Sequence, residues 1–320
     1  MSEPLVSVVS PVRNAAAHLG GLLEALAAQT LAADSFEVVV VDDGSTDETP
    51  ALLAGWAAAD PERRRVLRGA GRGPAAARNL GLREARAPLV AFTDADTLPD
   101  PAWLEALLAA AEDADAVEGR VLAWPPDAPR ANAHTVENER GGLYVTANMA
   151  YRRELLERLG GFDESFPAAF LEDSDLAFRA LDAGARIRFA PEALVRHPVL
   201  PQTSREILRA ARKLQWLPLL AAKHPRRYAE QIRPVLRPVT RPEIHVLVAV
   251  ASLPLLFGRG ALRGVPALTA LNALRVVARD PRLAVPVRER PGRAALAVVL
   301  PVVKLAWWAR GQVRVLAGRR

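Results

Sequence analysis

A chain of 320 residues, half of them hydrophobic, can bury a substantial core, which excludes disorder as its main state. The absence of cysteine excludes a disulfide framework, a thiolate metal site and a cysteine nucleophile. The net charge of +6 conceals a division: residues 1–200 carry 19 arginines against 31 acidic residues, whereas residues 201–320 carry 23 basic residues against 5 acidic.

Short β-rich runs alternate with Ala- and Leu-rich stretches through the first 200 residues. The N-terminus leads straight into the apolar run Val6–Val9 with no basic region and no long apolar segment before it, so the folded domain is expected in the cytoplasm. Strands are predicted at Val6–Ser10, Val38–Val41, Val66–Arg68 and Leu89–Thr93, with helices near Ala15–Ala28, Asp47–Ala59, Ala75–Ala85 and Trp103–Ala111. Four β/α units in succession imply an α/β fold, a mostly parallel sheet with helices on its faces. Asp100 and Pro101 are expected to open the fourth helix as N-cap and first helical residue. From Ala116 to His197 the alternation is less regular, with helices predicted at Arg153–Leu159 and Asp173–Ala183 and strands at Ile187–Ala190 and Leu194–Arg196. This stretch reads as the second half of the same domain.

The remainder changes character. Residues 204–223 read as a basic helix, and Pro225, Pro234, Pro238 and Pro242 mark a linker. The expected division is therefore 1–200, a linker region 201–243, and a C-terminal region 244–320. The apolar runs Ile244–Phe257 and Ala294–Ala309 hold 14 and 16 residues, short of the ~20 that usually cross a bilayer. If both crossed, residues 258–293 with their eight arginines would lie on the far side, against the positive-inside rule. The basic residues interleave with aliphatic runs and not with stacking aromatics, which favours a membrane surface as partner over nucleic acid. The runs are expected in the cytoplasmic interface or as a shallow re-entrant hairpin, with Trp307 and Trp308 at headgroup depth; packing as a helical subdomain is the alternative.

Open sheets of this kind bind ligands beyond the carboxyl ends of their strands, where the strand order reverses. Three such ends are polar or acidic: Ser10-Pro11-Val12-Arg13-Asn14, Asp42-Asp43-Gly44-Ser45 and Asp94-Ala95-Asp96. The carboxylates of Asp94 and Asp96 are spaced to hold a hard cation, Mg²⁺ or Mn²⁺, with positions left for phosphate oxygens. Asp43 is able to accept from a base N–H or a ribose hydroxyl, or alternatively to close an ordinary strand-to-helix turn. Glu172, Asp173 and Asp175 crowd a helix start, either answering the helix dipole or supplying a general base. His197, 24 residues past Asp173, offers a neutral imidazole to a metal.

Taken together these pieces resemble the family 2 glycosyltransferases of GT-A fold over about residues 5–200. The resemblance rests on Val6 to Asn14, Val41-Asp42-Asp43-Gly44-Ser45-Thr46-Asp47, Ala77-Arg78-Asn79-Leu80-Gly81, Asp94-Ala95-Asp96, Ala147-Asn148-Met149-Ala150, Gly160-Gly161-Phe162-Asp163 and Glu172-Asp173, in family order and spacing. It implies transfer of a sugar from a nucleotide diphosphate donor to a glycan or lipid-linked acceptor hydroxyl, with inversion. Pro11, Asp43 and Arg78 would then line the nucleotide pocket, Asp94 would meet ribose or metal, Asp96 and His197 the metal, and Asp173 would be the base. Arg13 departs from the aromatic that many members carry there, and is assigned to the diphosphate or to the base. Two rivals are weighed. Phe92-Thr93-Asp94-Ala95-Asp96-Thr97 also resembles the nucleophile loop of haloacid-dehalogenase-like phosphatases, but the only lysines are Lys213, Lys223 and Lys304, none between the two acidic motifs. A non-catalytic sugar-nucleotide-binding protein is the other.

Overall fold

Runs such as Val6-Ser7-Val8-Val9 and Val38-Val39-Val40-Val41 have no polar face, and a strand of that kind must be covered on both sides. The computed structural model describes residues 3–130, 132–234, 241–252, 269–271, 273 and 290–318. These form two units, Met1–Ala128 with Thr135–Val199, and Pro129–His134 with Leu200–Arg320.

In the first unit the chain runs β1 (Val6–Val12), α1 (Ala16–Ala27), β2 (Phe36–Asp42), α2 (Thr49–Ala58), β3 (Arg64–Arg68), α3 (Pro74–Glu84), β4 (Leu89–Phe92), β5 (Leu98–Pro99), α4 (Trp103–Ala111) and β6 (Ala116–Trp124). After β7 (Ala133–His134), which belongs to the second unit, come β8 (Met149–Arg152), α5 (Arg153–Leu159), α6 (Glu172–Asp182) and β9 (Ile187–Pro198). The sheet order is β3-β2-β1-β4-β8-β6-β9-β5. The first four strands are parallel, and β6 and β9 are parallel, while β8 runs antiparallel between β4 and β6 and β5 runs antiparallel on β9. Alternate residues feed the two faces. Val6, Val8 and Val12 pack with Leu19 and Leu22 of α1 and Trp103 and Leu107 of α4; Val9, Val39, Val41 and Phe92 pack with Ala77 of α3, Leu156 of α5 and Leu176 of α6. The chain winds outward from β1 through β2 to β3, then returns to the other side with β4. The reversal therefore falls between β1 and β4.

Three expectations are corrected. Asp100 does not cap α4: Ala102 takes the cap position with no side-chain bond, and the Asp100 carboxylate receives Arg196 at 3.3 Å instead. The two short strands after Ala185 are one strand, β9, interrupted because Ala190 pairs with Gly119 and the next pairing is Leu194 with Arg120. Pro191, which has no N–H to give a ladder, sits in the stretch passed over. The irregular stretch also holds an unforeseen long strand, β6, whose Glu118 hides its apolar pattern.

In the second unit β7 pairs with β10 (Leu200–Pro201). α7 (Ser204–Ala210) opens on a capping box between Thr203 and Glu206, and a 3₁₀ segment, Ala211–Trp216, leads into α8 (Leu217–Lys223). Helices Arg241–Ser252 and Arg290–Gly318 follow. The last helix is longer than the 16-residue apolar run: Ala295–Gly318 is a 24-residue segment of mean hydropathy 1.2, long enough by length and composition to cross a membrane. Its charges have partners. Lys304 Nζ meets Glu243 at 2.8 Å, and the guanidinium groups of Arg310 and Arg314 lie over the rings of Trp307 and Trp216. Gly311 lets it approach the 3₁₀ segment, since a Cβ there would stand 2.2 Å from the Gln215 carbonyl oxygen. Trp307 is half-buried, with Arg212 over its ring as well. Of the connection between the apolar runs, residues 258–268, 272 and 274–289 lie outside the described residues.

Candidate active site

The ends of β1 and β2 are knitted to each other by the residues that follow them. Asn14, held at φ 51°, donates its N–H to Ser45 Oγ at 2.8 Å and accepts from the Thr46 N–H through Oδ1 at 2.8 Å. Asp42 closes the turn by accepting the Ser45 N–H at 2.9 Å. Asp43 has a different task. Its carboxylate, only 4% exposed, accepts the backbone N–H groups of Gly71 at 2.8 Å, Arg72 at 3.2 Å and Gly73 at 2.7 Å. Gly71 and Gly73 adopt positive φ to present those amides, and a Cβ on Gly73 would collide with the Pro167 carbonyl oxygen. The Gly69-Ala70-Gly71-Arg72-Gly73 loop is thus Asp43's partner, and the rim it forms lies beside the exposed Arg13. Pro11 is half-buried one turn of the strand below.

The centre of the site is Arg78, which projects from α3 and is 2% exposed. Nη1 donates to Glu172 Oε1 and Nη2 to Asp94 Oδ1, each at 2.8 Å, and the guanidinium lies 5.6 Å from the centre of the Phe162 ring. Burial disfavours its charge, yet the carboxylates of Asp94 and Glu172 more than compensate and hold it still more firmly protonated than a free arginine. One side chain therefore ties the end of β4 to the start of α6. Glu172 is fixed from its other side by the Phe170 N–H, 2.6 Å from Oε2, next to Leu171 in a left-handed conformation at φ 76°.

Asp173 stands beside this pair with much less support. Its Oδ1 accepts the Ser174 N–H at 2.7 Å. Burial, and then the Glu172 charge, push its carboxyl up to about 7, against the opposing pull of the Ser174 N–H and Arg78. A carboxyl that titrates near neutrality at a helix start is suited to take a proton from a hydroxyl.

Beyond β4, Thr93 Oγ1 donates to the Ala147 carbonyl at 2.9 Å and Thr97 Oγ1 to the Asp94 carbonyl at 2.8 Å, fixing the Asp94-Ala95-Asp96 turn. Asp94 turns to Arg78, while Asp96 turns to the buried His197, with Nε2 3.8 Å from Asp96 Oδ1. His197 Nδ1 lies 3.0 Å from the Pro198 carbonyl oxygen, which only accepts, so Nδ1 carries the proton. In the neutral ring that leaves Nε2 as the acceptor facing the carboxylate, the tautomer and orientation a metal requires. Among the described residues no three acidic or histidine side chains form a ready-made metal cluster. With Nε2 and Oδ1 3.8 Å apart, Asp96 and His197 are placed so that a divalent cation would fit between them.

Several organising residues escape a reading by motif chemistry alone. Asn148 is fully buried, donating to the carbonyls of Arg120 and Ala193 and accepting from Trp103 Nε1, and so joins β6, β9 and α4 behind the site. Asn79 clamps Phe162 through both its N–H and its carbonyl, which explains why Gly161 has no side chain: a Cβ would stand 2.5 Å from Asn79 Oδ1. Glu118 accepts from Asn138 Nδ2 and from the N–H groups of Gly142, Leu143 and Tyr144 at 2.6–2.9 Å. A glutamate in the middle of an apolar strand was the available signal for it.

Residues 7–160 match the model of glycosyl transferase family 2, and residues 89–309 that of glycosyl transferase family group 2. The chain belongs to the family 2 glycosyltransferases. It is similar to the pre-mycofactocin glycosyltransferase of Mycobacterium tuberculosis, with 32% identity over 237 residues that cover 69% of this chain and 48% of that protein. The match thus spans about half the length of that relative. Among solved structures it is similar to the mannosyltransferase PcManGT of Pyrobaculum calidifontis in complex with GDP-Man and Mn²⁺, at 26% identity, a TM-score of 0.61, and coverage of 94% of this chain and 88% of that one. S. aureus TarS 1–349, in complex with UDP, shares the fold at 20% identity and a TM-score of 0.53, over 98% of this chain and 91% of its own. The GT-A fold expected for a family 2 glycosyltransferase is therefore the fold observed, and membership in the family removes the phosphatase alternative.

Proposed function

We propose that this glycosyltransferase moves a sugar from a nucleoside diphosphate donor to an acceptor hydroxyl by direct displacement, with inversion at the anomeric carbon. The observation that carries the reading is Arg78, whose two 2.8 Å bonds hold the Asp94 turn and the Glu172-Asp173 helix start together, so that acidic strand end and base occupy one crevice. Asp173, with its carboxyl near 7, takes the proton of the attacking hydroxyl. Arg78, bonded to Glu172, anchors the helix start that carries it. Arg13 and the Gly71–Gly73 rim are assigned to the diphosphate and nucleoside, with Pro11 under the base and Asp43 holding the rim in place. Mg²⁺ or Mn²⁺, held by Asp96 and His197 with Asp94 alongside, would stabilise the charge gathering on the departing diphosphate; the Mn²⁺ in the similar mannosyltransferase supports this choice.

The acceptor is assigned to a glycan or lipid-linked acceptor of the cell envelope, reached at the cytoplasmic face of a membrane, with residues 1–200 as transferase, 201–243 as linker and 244–320 as membrane-associated region. The basic excess after residue 200 and the long apolar helix support that placement. The test is a thermal-shift screen of UDP-, GDP- and dTDP-sugars with Mn²⁺, since a donor that binds the native state stabilises it by mass action, followed by transfer assays with the donor found. Stabilisation by a donor with neither transfer nor hydrolysis would favour a non-catalytic sugar-nucleotide-binding protein.

A further inference from the structure

The helix Arg290–Gly318 has two unlike apolar faces. Leu296 and Leu300 turn inward onto Ala211 and the partly buried Ile207 and Leu208, and Gly311 abuts the Gln215 carbonyl. Among the described residues the other face has no such cover. Val298, Val302, Leu305, Ala309, Val313 and Leu316 recur at steps of three and four residues and are all exposed, Val313 and Leu316 by 65% and 61%. From Val298 to Leu316 this stripe is about 27 Å long at the α-helical rise. Its charged neighbours lie off it: Lys304 is paired with Glu243, Arg310 flanks it while resting on Trp307, and Arg314 lies toward the packed face over Trp216.

We infer that this stripe seats on an anionic lipid bilayer with the helix lying in the membrane plane. The inference rests on the membrane-facing part of the proposed function and gives it a surface and an orientation. Charge selects the occupant. The stripe belongs to a region with 23 basic residues against 5 acidic, and arginines bordering an uncharged apolar face complement phosphate headgroups above acyl chains. A second copy of the chain is the weaker fit, because a stripe about 27 Å long and one helix face, about 10 Å, wide offers on the order of 300 Å², against the roughly 800 Å² per partner of a standard interface. The packed face decides orientation. A helix crossing the bilayer would carry the 204–223 segment packed on it, with Arg205, Arg209, Arg212, Lys213 and Lys223, toward the hydrocarbon, where each charge is costly.

The experiment uses the full chain with vesicles of neutral phosphatidylcholine alone and with phosphatidylglycerol added at three parts in ten. Binding to the anionic vesicles, at least tenfold tighter than to the neutral ones and weakened by salt, is expected; failure to bind either overturns the inference. Val302→Asp combined with Leu305→Asp should reduce anionic-vesicle binding at least tenfold while circular dichroism and the donor-induced thermal shift stay as in the parent. Retained binding in that variant refutes the stripe, and a parent dimer that this variant converts to monomer in light scattering assigns the face to a second copy instead. Because the chain has no cysteine, Val302→Cys carries a single environment-sensitive dye; its emission should shift to the blue on anionic vesicles, and no shift would overturn the seating even if the variants misfold. Resistance of the cell-expressed chain to alkaline carbonate extraction would overturn the in-plane orientation in favour of a crossing helix. None of these readings depends on transferase activity, so a failed donor screen and a failed vesicle test remain distinguishable.

Discussion

Glu37 lies at the start of strand β2 and Asp173 at the start of helix α6, and burial acts on the two carboxylates in opposite company. At the start of β2, Glu37 is 1% exposed and receives Ser7 Oγ at 2.6 Å, the Arg86 N–H at 2.7 Å, Arg86 Nε at 2.8 Å and Arg65 Nη2 at 3.0 Å. Burial alone would raise its pKa, but these donors and the Arg65 charge outweigh it, and the group is held below its ordinary value. At the start of α6, Asp173 has the Ser174 N–H, and the nearest strong cation, Arg78, is already shared between Glu172 and Asp94. It rises to about 7. Burial sets the stakes for a carboxylate, and the supply of donors sets the sign. The well-supplied carboxylate is a brace, and the under-supplied one is the place for chemistry.

The sharpest break in this comparison is expected from Asp173→Asn, which should keep donor affinity and lower turnover by about 100-fold or more, the range of a lost general base. Near-normal turnover at saturating acceptor would assign the base elsewhere. Asp96→Ala should abolish the Mn²⁺-dependent part of donor binding and leave the fold intact, as measured by titration with and without the ion. If the affinity does not move, the cation lies at another position. By contrast, Glu37→Gln should leave turnover unchanged and cost about 2 kcal/mol of stability, the scale of a lost charged hydrogen bond, visible as a melting temperature roughly 5 °C lower.

The pH response is the most diagnostic, because the two sites should respond with opposite sign. Glu37 is lowered from 4.5, so its contribution is present above that value and is lost as the pH falls through its folded pKa. The deficit of Glu37→Gln should therefore shrink in acid. Asp173 is raised from 3.8 to about 7, so ionising it in the folded chain costs stability that grows between those values and then stays constant. Asp173→Asn should accordingly gain on the parent from pH 4 to pH 7 in melting scans without metal or donor. Parallel profiles for the two variants would dissolve the contrast.

Much of the first unit was legible in the sequence because its strands have covered faces. Valine-rich runs marked β1 and β2, and Trp103–Ala111 and Arg153–Leu159 were read to the residue. Acidic residues just past apolar runs marked Asp94, which the fold joins through Arg78 to Glu172. What stayed hidden depends on partners far along the chain. Nothing near Asp43 announces that it will be held by amides 28 to 30 residues away, nor does the sequence around Arg78 announce a bridge to Glu172, 94 residues on. Asp100-Pro101 carries a sound local signal for a helix start, and a long-range arginine overrode it. The last helix was underestimated for the same reason, since the apolar count stops at Arg310, whereas in the fold Arg310 lies over the ring of Trp307 and Arg314 over that of the distant Trp216.

Glu118 has a consequence of its own for motion in the chain. Its two carboxylate oxygens collect the N–H groups of Gly142, Leu143 and Tyr144 together with the Asn138 side chain, across a loop that passes through positive φ at Gly141, Gly142 and Tyr144. Three amides that share one buried acceptor cannot open independently without leaving charge in the interior short of donors. They should therefore exchange their hydrogens with solvent as a single cooperative group, at one common rate, and the segment should release from β6 in one step.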